Sequence, residues 1–148
     1  MKIVLFILLI FCSCKQVKPD LSQQAIHEIS NADIAMSNLA VEQGFFKALL
    51  TYAEDSMIIP RADKLPIKSK HEAEIAWADK PIIKEITWKP FKIEASASGD
   101  MGYSFGFSTY KGKDTTTYTN YCTIWHKQKD GTWKFVYDAG NSTPSPTQ

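Results

Sequence analysis

An acid at the end of an apolar strand needs a reason, and Asp138 ends the run Trp133-Lys-Phe-Val-Tyr-Asp138. A carboxyl buried there has its pKa raised and can act as acid or base, which makes Asp138 the candidate catalytic group; the plainer role is capping a turn or pairing with a lysine. Tyr103, Trp88 and Trp125 are aromatic candidates for a ligand-binding surface, because a ring bearing an O–H or N–H wants a polar partner that a pocket can supply. Trp88, like Trp133, also fits a core position. His126 follows Trp125, so the two side chains point to opposite faces of a strand, and His126 is kept as a further binding candidate. Arg61, the only arginine, falls in the loop after the first expected strand, where it would either fix an anionic ligand group or stay solvated. His27 and His71 have no partner at metal-ligand spacing, and His71-Glu-Ala-Glu-Ile-Ala lacks the second histidine of a zinc helix, so neither a metal nor another cofactor is expected.

Cysteine chemistry points to the N-terminus. Lys2 followed by the apolar run Ile3 to Phe11 has the make-up of a secretion signal and is too short to span a bilayer. Phe11-Cys12-Ser13-Cys14 resembles the lipobox of bacterial lipoproteins, which makes Cys14 the expected lipidation site, residues 1–13 the signal peptide and residues 14–20 a tether. An ordinary signal cleaved nearby is the alternative. The expected location is therefore the bacterial cell envelope, with the membrane as a partner through lipid on Cys14. Loss of Lys2 with the leader leaves sixteen basic and sixteen acidic side chains, a balance that does not favour nucleic acid. Cys122 then remains alone in a strand and reads as a small buried apolar residue rather than a nucleophile.

The elements that must hold these residues begin with helices. Leu21, Ala25, Ile29, Met36, Leu39 and Ala40 recur near the helical period and predict a long helix to about Gln43. Gly44 breaks it, and Phe45, Phe46, Leu49 and Tyr52 predict a short second helix. Ser56-Met-Ile-Ile-Pro60 reads as a β run. Ser69-Lys-His-Glu72 has the spacing of a capping box and opens a third helix, which Lys80-Pro81 stops.

Strands follow. Phe91, Ile93, Ala95 and Ala97 alternate with Lys92, Glu94, Ser96 and Ser98, which predicts one buried and one wet face. Met101, Tyr103, Phe105 and Phe107 alternate with Gly102, Ser104, Gly106 and Ser108; the bulky row is expected to line the inside of a curved sheet and the small row its outside. Asp130-Gly131 closes a last hairpin, whose register pairs Trp125 either with Val136 or, across a bulged turn, with Phe135. Asn141-Ser-Thr-Pro-Ser-Pro-Thr-Gln148 reads as a disordered polar tail, with residues 145–148 beyond the domain.

Helices first and a curved antiparallel sheet afterwards, together with particular residues, resemble the nuclear transport factor 2-like superfamily, in its SnoaL-like and ketosteroid-isomerase-like branch. Those residues are Gly44, Tyr52-Ala-Glu-Asp-Ser-Met-Ile-Ile, Trp88-Lys-Pro, Gly99-Asp-Met-Gly-Tyr with Gly106, Tyr121-x-x-x-Trp125, Asp130-Gly-x-Trp133-Lys and Asp138-x-Gly-Asn. The resemblance covers nearly all of residues 21–144 and implies an α+β fold, a cone-shaped roll of N-terminal helices against a strongly curved, mostly antiparallel sheet. It also implies a concave pocket. Laid without a gap on the isomerase-like pattern, the positions of the base and the oxyanion-donating tyrosine fall on Pro60 and Met36, neither of which can do that chemistry. The expectation is a pocket of roughly 300 Å³ or more that binds a small apolar or amphipathic molecule, with catalysis left open. The second reading is a structural or homodimerising module whose cavity is filled by Trp77, Trp88 and Phe46 and whose dimer contact is the outer, glycine-serine face of the sheet.

Overall fold

Helix α1 (Ser22–Gln43) buries one stripe, Ala25, Ile29, Asp33, Met36, Ser37 and Ala40, spaced by three or four residues so that all fall on one face. The structure is a computed structural model that describes residues 18–146; the expected signal peptide, Cys14 and the last two residues lie outside the described residues. Gly44 takes φ +102°, a left-handed value that suits glycine, and ends α1 with its N–H donated to Ala40 O. The chain turns there directly into α2 (Phe45–Tyr52). A Cβ at Gly44 would sit 2.9 Å from Ile82 Cγ2, so the loop after the third helix closes over this joint.

Strand β1 (Ala53–Arg61) and the four-residue β2 (Lys64–Ile67) form a tight hairpin. The four-residue β2 was not legible in the sequence. Helix α3 (Lys70–Trp77) starts as its Ser69 cap requires, with Ser69 Oγ accepting from Glu72 N–H at 3.1 Å. Glu72 reaches back to Lys68 N–H at 2.9 Å, one residue before the cap. Four long strands complete the chain: β3 (Ile86–Ala95), β4 (Met101–Lys111), β5 (Thr116–Lys127) and β6 (Trp133–Thr143).

The sheet has six strands in the order β2-β1-β6-β5-β4-β3. The β1–β6 pair is parallel and the other four are antiparallel. Three helices pack on one face of this open, mixed sheet, which is the α+β cone of the nuclear transport factor 2-like fold. Helix α1 lies mainly against β3 and β4, and the core between them holds Ile29, Met36, Trp125 and Phe135.

Three expectations need correction. The faces of β4 are reversed: Ser104 is fully buried beneath α1, while Met101 is exposed. A Cβ at Gly102 would come within 2.5 Å of Ile29 Cδ1, and one at Gly106 within 2.8 Å of the Tyr121 ring, so the small residues are what the helix side demands. Bulky side chains are left for the outer face. Phe91 is the second correction. A bulge between Pro90 and Lys92 takes it out of the alternation, and it is 63% exposed on the outer face, stacked on Phe107 at 5.2 Å and edge-on to Phe105 at 5.4 Å. The third concerns the tail, since β6 continues through Asn141-Ser142-Thr143 and pairs Thr143 with Tyr118. Of the two hairpin registers, the structure has Trp125 opposite Phe135, with the irregularity beside Val136.

Candidate functional site

Inward-facing residues alternate along β5 as Thr119, Tyr121, Thr123 and Trp125, and the register brings Thr123 opposite Asp138 on β6. Between this row and the helices is a cavity of about 230 Å³. Met36 of α1, Phe45 and Leu49 of α2, and Ile86 and Trp88 of β3 form its apolar wall. The polar end is made by Ser108, Thr119, Tyr121, Thr123 and Asp138. The cavity is smaller than the expected 300 Å³, and Phe45 and Trp88, edge-on to each other at 6.0 Å, both line it. Phe46 and Trp77 pack on each other at 5.2 Å and are not among the lining residues.

Asp138 faces inward and accepts a hydrogen bond from Thr123 Oγ1 at 2.6 Å. Burial, with the nearby charge of Asp33 and against the Thr123 bond, pushes its pKa up to about 6. It has the ionisation range of a group that can exchange a proton near neutrality.

Behind Tyr121 is a second acid that the sequence reading passed over. Asp33 is completely buried in the middle of α1. Its Oδ2 accepts from Ser104 Oγ at 2.5 Å and its Oδ1 from Tyr121 OH at 3.0 Å. Trp125 Nε1, which can only donate, gives its proton to Ser104 Oγ at 2.9 Å. The direction of the chain is thereby set: the indole donates to Ser104, Ser104 donates to Asp33, and Tyr121 donates to Asp33 from the other side. Burial raises the Asp33 pKa above the ordinary aspartate range, partly opposed by donors from Ser104, Tyr121 and Trp88. The phenol of Tyr121 is pushed upward by burial and by Asp33, so it stays protonated and presents its oxygen lone pairs. A signal for Asp33 existed in the sequence, since it falls four residues after Ile29 and four before Ser37 on the buried stripe.

The other candidates separate. Trp88 lines the cavity. Trp125 is fully buried and supports the site through Ser104 without lining it. Tyr103 is on the outer face in a shallow depression with Glu94, Met101 and Ile124, away from Asp138. His126 also faces outward, with its Nδ1 3.0 Å from Glu54 Oε2. Arg61 is exposed, and its Nε donates to Leu65 O at 2.8 Å inside the β1–β2 hairpin, so it does not reach the cavity. Cys122 is half-buried, its thiol pushed up by burial and by Asp138. Met36 lines the cavity, whereas Pro60 is exposed on β1 and is not among its lining residues.

Comparison with known proteins supports the fold. No protein-family model matches the chain, and no curated protein matches it. Solved structures that resemble it include a protein of unknown function, described as NTF2-like, from Pseudomonas putida. That structure is 12% identical with a TM-score of 0.66, over 82% of this chain and 89% of the other. A ketosteroid isomerase-like protein from Erwinia carotovora atroseptica is 14% identical with a TM-score of 0.65, over 82% of this chain and 98% of the other. An NTF2-like protein with a cystatin-like fold from Novosphingobium aromaticivorans is 14% identical with a TM-score of 0.60, over 84% and 85% respectively. At these identities the likeness is one of fold.

Proposed function

We propose that this protein is a lipid-anchored cell-envelope domain that binds a small, mostly apolar molecule in the cavity between α1, α2 and the sheet. The observation that carries the reading is the cavity's composition: apolar and aromatic side chains on one side, and the convergent polar groups of Asp138, Thr123 and Tyr121 at the other. A volume of about 230 Å³ suits a ligand below drug size. Steroid isomerisation is not part of this reading: Met36, which lines the cavity, cannot donate to an oxyanion, and Pro60, which the resemblance puts at the base position, is no base and is not among the lining residues.

Native mass spectrometry of protein made in a bacterial envelope-targeting host tests the pocket. The expected result is a retained small molecule that a Leu49→Trp substitution, which fills the cavity, removes. A protein that is empty and binds nothing in a fragment screen would end this reading. The anchor in this reading is lipid on Cys14, on the resemblance of Phe11-Cys12-Ser13-Cys14 to a lipobox. Cys14→Ser should release the protein from the membrane fraction.

A second reading, a homodimerising module, is favoured by the outer face, where Phe91 packs on Phe105 and Phe107 and Met101 is 46% exposed. Sedimentation of the mature protein at micromolar concentration distinguishes monomer from dimer.

A further inference from the structure

The cavity has acids on its polar end and no base anywhere on its wall. Asp138 and Tyr121 are its titratable lining residues, and Asp33 stands directly behind Tyr121. Neither Asp33 nor Asp138 takes part in the ion pairs among the described residues, which join His71 to Glu74, Lys92 to Glu94, His126 to Glu54 and Lys127 to Glu28. Both carboxylates are held instead by neutral donors, Thr123 on one and Ser104, Tyr121 and Trp88 on the other. Neutral donors stabilise a buried anion without cancelling its field, so the polar end of the cavity carries uncompensated negative potential.

The hydrogen-bond directions sharpen this. The Tyr121 proton is committed to Asp33, which leaves the phenol oxygen as an acceptor at the cavity. Asp138 Oδ1 takes the Thr123 proton, and Oδ2 has no hydrogen-bond partner among the described residues. Asp138 Oδ2 and the Tyr121 oxygen therefore face a ligand as acceptors, beside the Ser108 and Thr119 hydroxyls, which can donate or accept. The opposite wall offers the aromatic faces and edges of Trp88 and Phe45, which favour a cation or a flat ring.

We propose that the cavity takes a small organic cation, a primary or secondary amine on an aromatic or branched aliphatic body, with the ammonium on Asp138 Oδ2 and the Tyr121 oxygen and the body between Met36, Phe45 and Trp88. This rests on the reading of the cavity as a small-molecule site and narrows its ligand class. An anionic ligand would meet the Asp138 carboxyl, with Asp33 behind Tyr121, and no counter-charge on the wall, since Arg61 is tied to Leu65 outside the cavity. Negative potential without a base discriminates by repelling anions as much as by attracting amines.

Three probes of nearly one shape test it on the mature protein: 2-phenylethylamine, 2-phenylethanol and phenylacetate. Isothermal titration calorimetry gives the affinities, and the Met36 methyl resonance reports whether each probe enters this cavity. The expected order at pH 7.5 is amine, then alcohol, then carboxylate, with at least tenfold between the first two. Lowering the pH to 5 should weaken amine binding severalfold as Asp138 takes a proton, while alcohol binding holds. The titratable groups around Asp138 are Asp33 on α1 and Tyr121 and Cys122 on β5; the cavity residues of α2, β3 and β4 do not titrate. In Asp138→Asn the advantage of amine over alcohol should fall to within twofold. Equal binding of amine and alcohol by the unaltered protein, or tightest binding of phenylacetate, overturns the cation assignment and leaves the pocket reading intact. No shift of Met36 by any probe overturns both.

Discussion

At the scale of single residues, Asp138 is costly where it stands. Its folded pKa of about 6 lies above the ordinary 3.8, so the folded state holds a proton that the unfolded chain has lost between those values. Stability from this group is full below pH 3.8, falls as pH rises, and is lost above pH 6, with a difference of up to about 3 kcal/mol. Asp138→Asn keeps an acceptor for Thr123 and removes the charge. It should raise the melting temperature by roughly 2–5 °C at pH 7.5 and leave it nearly unchanged at pH 3.5, measured by scanning calorimetry. Asp33→Ala should act in the opposite direction, because it leaves the Ser104 and Tyr121 protons without an acceptor in a buried place; a loss of about 2–4 kcal/mol in urea unfolding is expected. Asp138 was legible in the sequence because an acid contradicts the apolar strand around it. Asp33 was not, because a search for apolar periodicity skips the polar residue that occupies a position in the stripe.

Among the elements, the boundaries of α1 and α2 were legible from Gly44 and the apolar period, and β4 from its strict alternation. Which face of β4 turns inward was not. Alternation fixes that two faces differ, but the choice between them is set by the volume available beneath α1, which only the packed structure contains. Gly102 shows the constraint, since a Cβ there would lie 2.5 Å from Ile29 Cδ1 of α1; Gly106 is kept small by the neighbouring strand, where a Cβ would lie 2.3 Å from Lys89 O and 2.8 Å from Pro90 Cα. Gly106→Ala should force β3 from β4 and cost about 2–3 kcal/mol, whereas Ser108→Ala on the same face should cost less than half as much; chemical denaturation of the two variants checks the contrast. The hairpin register was open for a related reason. Asp130-Gly131 announces a turn, but the extra residue at Val136 leaves no mark in the pattern of residue types.

For the whole molecule, helices followed by a curved sheet could be read from the order of the periodicities, while the parallel β1–β6 contact could not, because it joins segments about eighty residues apart. The aromatic outer face is a property of the assembled sheet, with Phe91 brought to Phe105 and Phe107 only by the bulge. If two copies join there, Phe91→Glu should shift the sedimentation coefficient to that of a monomer with little change in melting temperature. The two outermost strands carry a different consequence. An open sheet ends in rows of backbone groups that can template the next chain. In β3 the Trp88 N–H is taken by Ser37 Oγ at 2.9 Å, and Pro90, two residues on and facing the same way, has none to give. At the far side β2 is four residues long and contains Pro66. The protein is thus denied the simplest route to a fibre, in which one sheet continues into another without end.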